Sequence, residues 1–125
     1  MIPKFRAYDG GSLCRMYSPE EVMVGNGDIW IIDEDDVAGE WIVNNDLVLM
    51  QSTGLTDKNG KEIFEGDILG TKDGLLNGVV KFNIDLGMWT NSLLRYNNFE
   101  RLCSIANSRE IIGNIWEDGD LLDGA

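Results

Sequence analysis

The feature that most constrains this fold is a pair of glycine-containing turns within one short segment, residues 49–68. Residues 57–60 read Asp-Lys-Asn-Gly, which is the composition of a type I turn ending in a left-handed residue. The Asp57 side chain is expected to cap this turn, and Gly60 tolerates positive φ because it has no Cβ. Residues 65–67 (Glu-Gly-Asp) make a second bend. The segment therefore predicts a strand, a tight turn and the start of a second strand. Three glycines are expected to serve backbone geometry: Gly54, Gly60 and Gly66.

The rest of the pattern predicts a mainly β protein, with an α+β fold as the alternative. Residues 4–8 and 13–17 form an N-terminal β-hairpin around a Gly-Gly turn. Three further short strands are expected in the first half, the last of them buried: residues 30–32, 41–43 and 47–50.

Little helix is expected. Residues 18–21 (Ser-Pro-Glu-Glu) have the form of a capping box, which predicts a helix of two turns at most, with a strand as the alternative. Residues 118–125 are expected to form one helical turn around Leu121 and Leu122, or to fray.

The C-terminal part predicts five short strands, which resemble a small five-stranded SH3-like β-barrel. The strands are expected at residues 68–71, 78–84, 86–90, 99–105 and 110–116. Residues 91–98 between them read as a loop. With 125 residues the chain suits a single domain over residues 1–125, alternatively two subdomains at residues 1–50 and 51–125.

Charge and composition exclude several classes of function. The net charge of −12 disfavours direct binding to nucleic acid and to anionic membrane surfaces. The sequence has no histidine, which excludes Ser-His and Cys-His dyads and the commonest zinc sites. Since no apolar run suits a membrane span or a signal peptide, a cytoplasmic protein is expected. Cys14 and Cys103 are interpreted as reduced, half-buried thiols.

Clusters of charge suggest sites but have simpler interpretations. The acidic run at residues 33–36 reads as a solvated loop; the alternative is a metal site. Lys4, Arg6 and Arg15 form either a solvated basic strip on the hairpin or an anion-binding patch. A metal-dependent nuclease would draw its ligands from a small set of carboxylates: Asp33, Glu34, Asp36 and Asp67.

Aromatic and polar residues supply further candidates. The four tryptophans are interpreted as core or subunit-contact residues, with ligand binding as the alternative: Trp30, Trp41, Trp89 and Trp116. Four polar residues beside the central turns are candidates for an interaction site: Gln51, Thr53, Asp57 and Asp67. The alternative is that Asp57 and Asp67 simply cap their turns.

The central segment resembles the signature of the YopX family of bacteriophage and prophage proteins. In that family a Met-Gln-aromatic-Thr-Gly-Leu run leads into Asp-Lys-Asn-Gly-Lys-Glu-Ile and Glu-Gly-Asp-Ile. Three further blocks match in order, at residues 4–9, 78–82 and 111–117. The sequence departs from the family at three positions. Ser52 stands where an aromatic residue is usual, Tyr8 where Trp is common, and Gly119 where Pro is common. The resemblance implies a phage-associated cytoplasmic protein that self-associates and has no agreed activity.

These observations favour a non-enzymatic, homo-oligomeric interaction module that binds a host or phage protein and uses no cofactor or metal. Exposed sheet edges favour self-association, because a second copy can cover them. One alternative is an acidic mimic of nucleic acid that occupies a host DNA-binding protein. Another is the metal-dependent nuclease.

Overall fold

The protein is mostly β-structure in the computed structural model, which describes residues 4–11, 14–32 and 39–122. The prediction of a mainly β fold with little helix is confirmed, since the one α-helix in these ranges has four residues. The chain divides into two compact units, Met1–Gln51 and Ser52–Ala125.

The first unit contains two antiparallel sheets. Its strands are β1 (Phe5–Asp9), β2 (Arg15–Tyr17), β3 (Val22–Gly25), β4 (Asp28–Ile32), β5 (Trp41–Val43) and the beginning of β6 (Val48–Thr56). The predicted N-terminal hairpin is confirmed as β1–β2, and β1 also pairs with β6. The second sheet has the strand order β3-β4-β5.

Apolar side chains from both sheets form the core of the first unit. Ala7 and Tyr17 from the hairpin are buried with Ile31 of β4 and Leu47. Val22, Ile29 and Leu49 pack against this group. The β3-β4-β5 sheet is therefore held to its unit by one of its two faces.

Residues 18–25 combine the two alternatives predicted for them. Pro19–Glu21 form a single 3-10 turn, in which the Glu21 carboxylate accepts hydrogen bonds of 3.0 Å from the Ser18 N–H and hydroxyl. The chain then enters β3. Because Asn26 and Gly27 both have positive φ, of 54° and 80°, they form the tight turn that joins β3 to β4.

The predicted buried strand at residues 47–50 differs from the observed one. Val48 is exposed whereas Met50, two residues later on the same face of the strand, is buried, so the run is not buried throughout. The strand also continues through Gly54 to Thr56. An apolar run alone does not reveal this, because both faces of the run look equally suited to burial.

The second unit contains the end of β6 and six further strands. They are β7 (Glu62–Phe64), β8 (Asp67–Gly70), β9 (Gly78–Asn83), β10 (Met88–Leu93), β11 (Phe99–Arg101) and β12 (Glu110–Asn114). The last five form one antiparallel sheet in the order β11-β10-β9-β8-β12, curled as a half-barrel. The core of the second unit contains Ile63, Leu69, Val80, Leu102 and Ala106. A short 3-10 turn, Gly119–Leu122, lies where a helical turn was expected.

Two predicted boundaries in this unit are wrong. Residues 91–93 belong to β10 rather than to a loop, and Asn91 is buried there. The strand predicted over residues 99–105 ends at Arg101 and becomes helix α1 (Leu102–Ile105), followed by a 3-10 turn. Leu102 and Ala106, four residues apart on one helical face, are both buried in the core. Packing of this face overrides the strand pattern.

The expectation of half-buried cysteines is also wrong. Cys14 and Cys103 are both exposed and free. Cys103 follows Leu102 on α1, and successive helical residues point in different directions, so burial of Leu102 turns Cys103 outwards.

Candidate functional site

Asp57 is buried beneath the turn that it was predicted to cap. Its Oδ1 accepts hydrogen bonds of 2.9 Å from the backbone N–H groups of Asn59 and Lys61, and its Oδ2 accepts one of 3.0 Å from Ile111. Burial alone would raise the pKa of this carboxyl, but the N–H groups of Ile111, Lys61 and Asn59 outweigh it and lower the pKa. The carboxylate thus serves the backbone of a turn and of β12.

Thr53 is similarly committed to the backbone. Three residues of β6 lie opposite Ile63 alone, which makes a bulge at Gly54, where φ is 79°. The Thr53 hydroxyl donates to the Ile63 carbonyl at 2.8 Å and accepts from the Leu55 N–H at 3.2 Å. Its hydrogen-bonding groups therefore hold the bulge.

The second bend is built in the same way. Gly66 has φ of 86°, and the buried Asp67 carboxylate accepts a hydrogen bond of 2.8 Å from the Phe64 N–H. Gly60, in the first turn, has φ of 81°. Gln51, by contrast, is exposed in the first unit. Of the four polar candidates, three make internal hydrogen bonds of the capping kind, and their use in an interaction stays a prediction.

The hairpin does not bring the three predicted basic residues into one strip. Arg15 lies directly opposite Asp9. Because side chains alternate along a strand, Arg6 of β1 points to the opposite face of the sheet from Asp9 and Arg15. The Arg15 guanidinium instead donates to the Glu21 carboxylate at 2.5 Å and lies 4.5 Å from the Tyr17 ring centroid. The prediction of a strip formed by Lys4, Arg6 and Arg15 is wrong, because the strand register separates Arg15 from Arg6.

The acidic run at residues 33–36 lies outside the described residues. Across the described ranges, no group of three or more Cys, Asp or Glu side chains is placed to hold a metal ion. Asp67, the other residue assigned to the nuclease alternative, binds the Phe64 N–H. The part of the chain with assigned structure has no helix of the length and apolarity that a membrane span needs.

A buried ion pair connects β11 with the segment before β12. Arg109 donates two hydrogen bonds to the Glu100 carboxylate, at 2.5 and 2.6 Å, and the Asn91 amide donates to the same carboxylate at 3.2 Å. The hydrogen bonds from Arg109 lower the pKa of Glu100, and those to Glu100 raise the pKa of Arg109. Bidentate geometry and burial fit a structural ion pair.

The β3-β4-β5 sheet exposes an apolar surface on the side away from the core of its unit. Strand register places Met23, Trp30 and Val43 in one row, and Ile32 and Trp41 in the next. Met23, Trp41 and Val43 are 46%, 38% and 43% exposed, whereas Trp30 and Ile32 are partly buried. We call these five residues the outer face. Such a contiguous apolar surface is typical of an interaction site.

A second exposed apolar cluster lies in the second unit, at the turn between β9 and β10. Phe82, Ile84 and Leu86 are exposed, and Ile84 retains 84% of its accessible surface. Trp89 meets Phe82 edge to face, with ring centroids 5.2 Å apart. We call Phe82, Ile84 and Leu86 the β9–β10 tip. Its charged neighbours include both signs, Lys81 and Asp85.

The part of the sequence that forms the outer face carries charge of one sign. Between Arg15 and Lys58 the sequence contains ten acidic residues and no basic residue, and the whole β3-β4-β5 sheet lies in this interval. Asp28 and Glu40 belong to the described part of it. The segments that carry the outer face therefore combine apolar side chains with acidic residues and no basic residue.

The family relationship follows from the whole length of the chain. The family model described as YopX protein matches residues 4–123. The chain belongs to the YopX family.

This YopX-family chain has a fold similar to two solved structures. Protein EF1440 from Enterococcus faecalis has 27% sequence identity and a TM-score of 0.59, with 98% of this chain and 99% of that chain covered. Protein yopX from Bacillus subtilis has 14% identity and a TM-score of 0.59, with 94% and 96% covered. The second likeness, at its low identity, concerns the fold alone. No curated protein matches the sequence.

Sequence reasoning missed the two apolar surfaces of this YopX-family chain. It placed strands at Trp30 and Trp41 but could not tell which faces they expose. The available signal was the absence of polar alternation in residues 41–43, which is also typical of a strand buried on both sides. The link between Asp57 and Ile111 had no local signal, since 54 residues separate the two.

Proposed function

We propose that this YopX-family chain is a non-enzymatic, self-associating interaction module encoded by a phage or prophage and acting in the cytoplasm of its bacterial host. The outer face carries the proposal, because it presents two tryptophans, two aliphatic side chains and one methionine from one sheet. Aromatic residues and Met are enriched at protein interfaces, where they supply contact area. Burial of the outer face against a partner would remove this apolar surface from water.

The polar groups near the central turns are committed to the backbone rather than available for catalysis. The carboxylates of Asp57 and Asp67 accept backbone hydrogen bonds, and the Thr53 hydroxyl binds a carbonyl. Their hydrogen-bonding capacity therefore stabilises the turns.

Self-association is assigned to the β9–β10 tip. Ile84 is the most exposed large apolar side chain at this turn, and the charges of Lys81 and Asp85 permit two copies to approach. The outer face is less suited to self-association, because each copy would bring acidic residues towards the other. The module would thus assemble through one unit and bind its partner through the other.

Co-purification from the bacterial host tests the role of the outer face. A tagged wild-type chain and an Ile84→Ser variant are expected to recover the same protein, whereas a Trp41→Ser/Val43→Ser variant is expected to lose it. The wild-type chain and both variants should give the same circular dichroism spectrum. Recovery of no protein above background, or equal recovery by the outer-face variant, would contradict the proposal.

The acidic interval from residue 16 to residue 57 favours nucleic-acid mimicry as a second function. A decoy of this kind would bind a DNA-binding protein through carboxylates. DNA should then displace the partner, and replacement of Asp33, Glu34, Asp35 and Asp36 by their amides should abolish binding while Trp41→Ser does not. The opposite pattern of the two variants selects the outer face.

A further inference from the structure

We infer that β5 is a docking strand for a basic, extended segment of the partner protein, which pairs with its open edge and lays apolar side chains beside the outer face. This inference rests on the proposed function. It names the binding mode, β-strand addition, and the chemistry of the partner.

The free edge of β5 is the first step. In the strand order β3-β4-β5, β5 is terminal, and within the described ranges no strand pairs with its other side. The Asn44 N–H donates to the Ile29 carbonyl of β4 at 2.8 Å. Backbone groups alternate in direction along an antiparallel pair, so Ile42 also faces β4, while Trp41 and Val43 direct their N–H and C=O groups to the open edge.

The same two residues carry exposed side chains on one face of the strand. Trp41 and Val43 both lie on the outer face. A strand paired with β5 would bond to the backbone of these residues and place every second side chain next to the Trp41 ring and the Val43 methyl groups. Edge and face therefore form one binding surface.

The sign of the charge selects the partner. The interval that contains β5 has ten acidic residues and no basic residue, and Glu40 directly precedes the strand. Lysine or arginine in the added segment would be attracted by the Glu40 carboxylate, and one placed over Trp41 would gain a cation–π contact. A second copy of this chain would bring the same acidic interval and is disfavoured at this edge.

Fluorescence anisotropy with short labelled peptides tests the inference. In the probe, lysine alternates with valine, and glutamine or glutamate replaces each lysine in the two controls. The lysine peptide is expected to bind about tenfold more tightly than the glutamine peptide, and its affinity should fall as salt is added. The glutamate peptide should not bind. Equal affinity of the lysine and glutamine peptides would overturn the basic specificity.

Two variants of Val43 separate edge pairing from simple apolar contact. Val43→Pro removes the outward N–H and blocks the edge, at a strand position where proline is tolerated because no ladder hydrogen bond is lost. Val43→Thr keeps the N–H and a similar shape. The lysine peptide should lose about tenfold or more with Val43→Pro and about threefold or less with Val43→Thr. Equal effects of the two variants would contradict strand addition.

A charge-reversal pair keeps the test independent of folding at Val43. Glu40→Lys should weaken binding of the lysine peptide by about tenfold, whereas Asp85→Lys in the second unit should leave it unchanged. Equal effects of Glu40→Lys and Asp85→Lys would mean that the attraction depends on the net charge alone, and would overturn the inference that β5 is a docking strand.

The outcomes also separate this inference from the proposed function. If Trp41→Ser/Val43→Ser abolishes recovery of the partner but the three peptides bind alike, the interaction module stands and the basic strand fails. If the host partner is not recovered and the lysine peptide does not bind, both fail. Self-association that Val43→Pro abolishes would assign the β5 edge to a second copy and overturn the inference.

Discussion

The Asp57 carboxylate accepts a hydrogen bond of 3.0 Å from the backbone N–H of Ile111, 54 residues further along the chain. The other oxygen of the same buried group binds two N–H groups of its own turn. One side chain thereby joins the central turn of the family signature to the last strand of the sheet.

Removal of this carboxylate should therefore destabilise the protein. Asp57→Ala leaves three backbone N–H groups without their acceptor, and we expect a loss of roughly 3 kcal/mol in the free energy of unfolding. Urea denaturation followed by circular dichroism measures the change. Asp85→Ala, the same substitution at an exposed turn, should change stability by less than about 0.5 kcal/mol. Similar losses in the two variants would refute the role of Asp57.

Asp57 should also make stability depend on pH. Its pKa is lower in the folded state than in the unfolded chain, where an aspartate titrates at about 4. The stabilisation is complete above the unfolded pKa and disappears as pH falls through the folded pKa, because only the unfolded chain takes up the proton in between. Wild-type stability minus that of Asp57→Asn should shrink on acidification below about pH 4. A difference that is constant with pH would argue against the assignment.

Glu100 and Arg109 should show strong coupling. Only 8% of the Arg109 side chain and 19% of the Glu100 side chain are accessible to solvent. Arg109→Met leaves a buried carboxylate without its cation and should cost about 3–5 kcal/mol. The double variant Glu100→Leu/Arg109→Met should lose clearly less than the sum of the single variants, as measured by urea denaturation in a double-mutant cycle. Additive losses would mean that the pair is not coupled.

A matched pair of glycine substitutions separates backbone strain from crowding. A Cβ added at Gly60 or at Gly25 meets no heavy atom within 4 Å, but only Gly60 has positive φ. Gly60→Ala should cost about 1 kcal/mol or slightly more, and Gly25→Ala should be close to neutral. Thermal unfolding of both variants measures the difference in stability. The positive φ of Gly60 requires Gly25→Ala to be the more stable variant.

The β9–β10 tip should control self-association. Ile84→Ser removes the most exposed apolar side chain of the tip and should shift the protein to a smaller species, or to dissociation at higher concentration, without loss of folding. Light scattering coupled to size-exclusion chromatography measures this. Leu75→Ser, an exposed apolar position away from the tip, is the control and should leave the mass unchanged. An unchanged mass with Ile84→Ser would move self-association to another surface.

Local chemistry explains which parts of the fold were predictable. The turn from Asp57 to Gly60 depends on residues next to each other, so composition was sufficient to place it. The Gly54 bulge depends on pairing with β7, and nothing in residues 53–55 alone specifies it.

Tertiary packing explains the parts that were not predictable. Helix α1 forms because Leu102 and Ala106 fill the core, although the sequence there suits a strand. The candidate site was harder still. Trp41 and Val43 lie on the face opposite to Ile31, and Ile31 packs with Ala7 and Tyr17 through a tertiary contact that the local sequence does not specify.

β12 follows all the other strands of its sheet in chain order, and this has a consequence during synthesis on the ribosome. β8 lies between β9 and β12, so one of its edges stays open until residues 110–114 have been translated. Until then the Asp57 carboxylate also lacks the Ile111 N–H. The second unit of a nascent chain cannot complete its sheet until β12 has been made, whereas every strand of the first unit has been made before then.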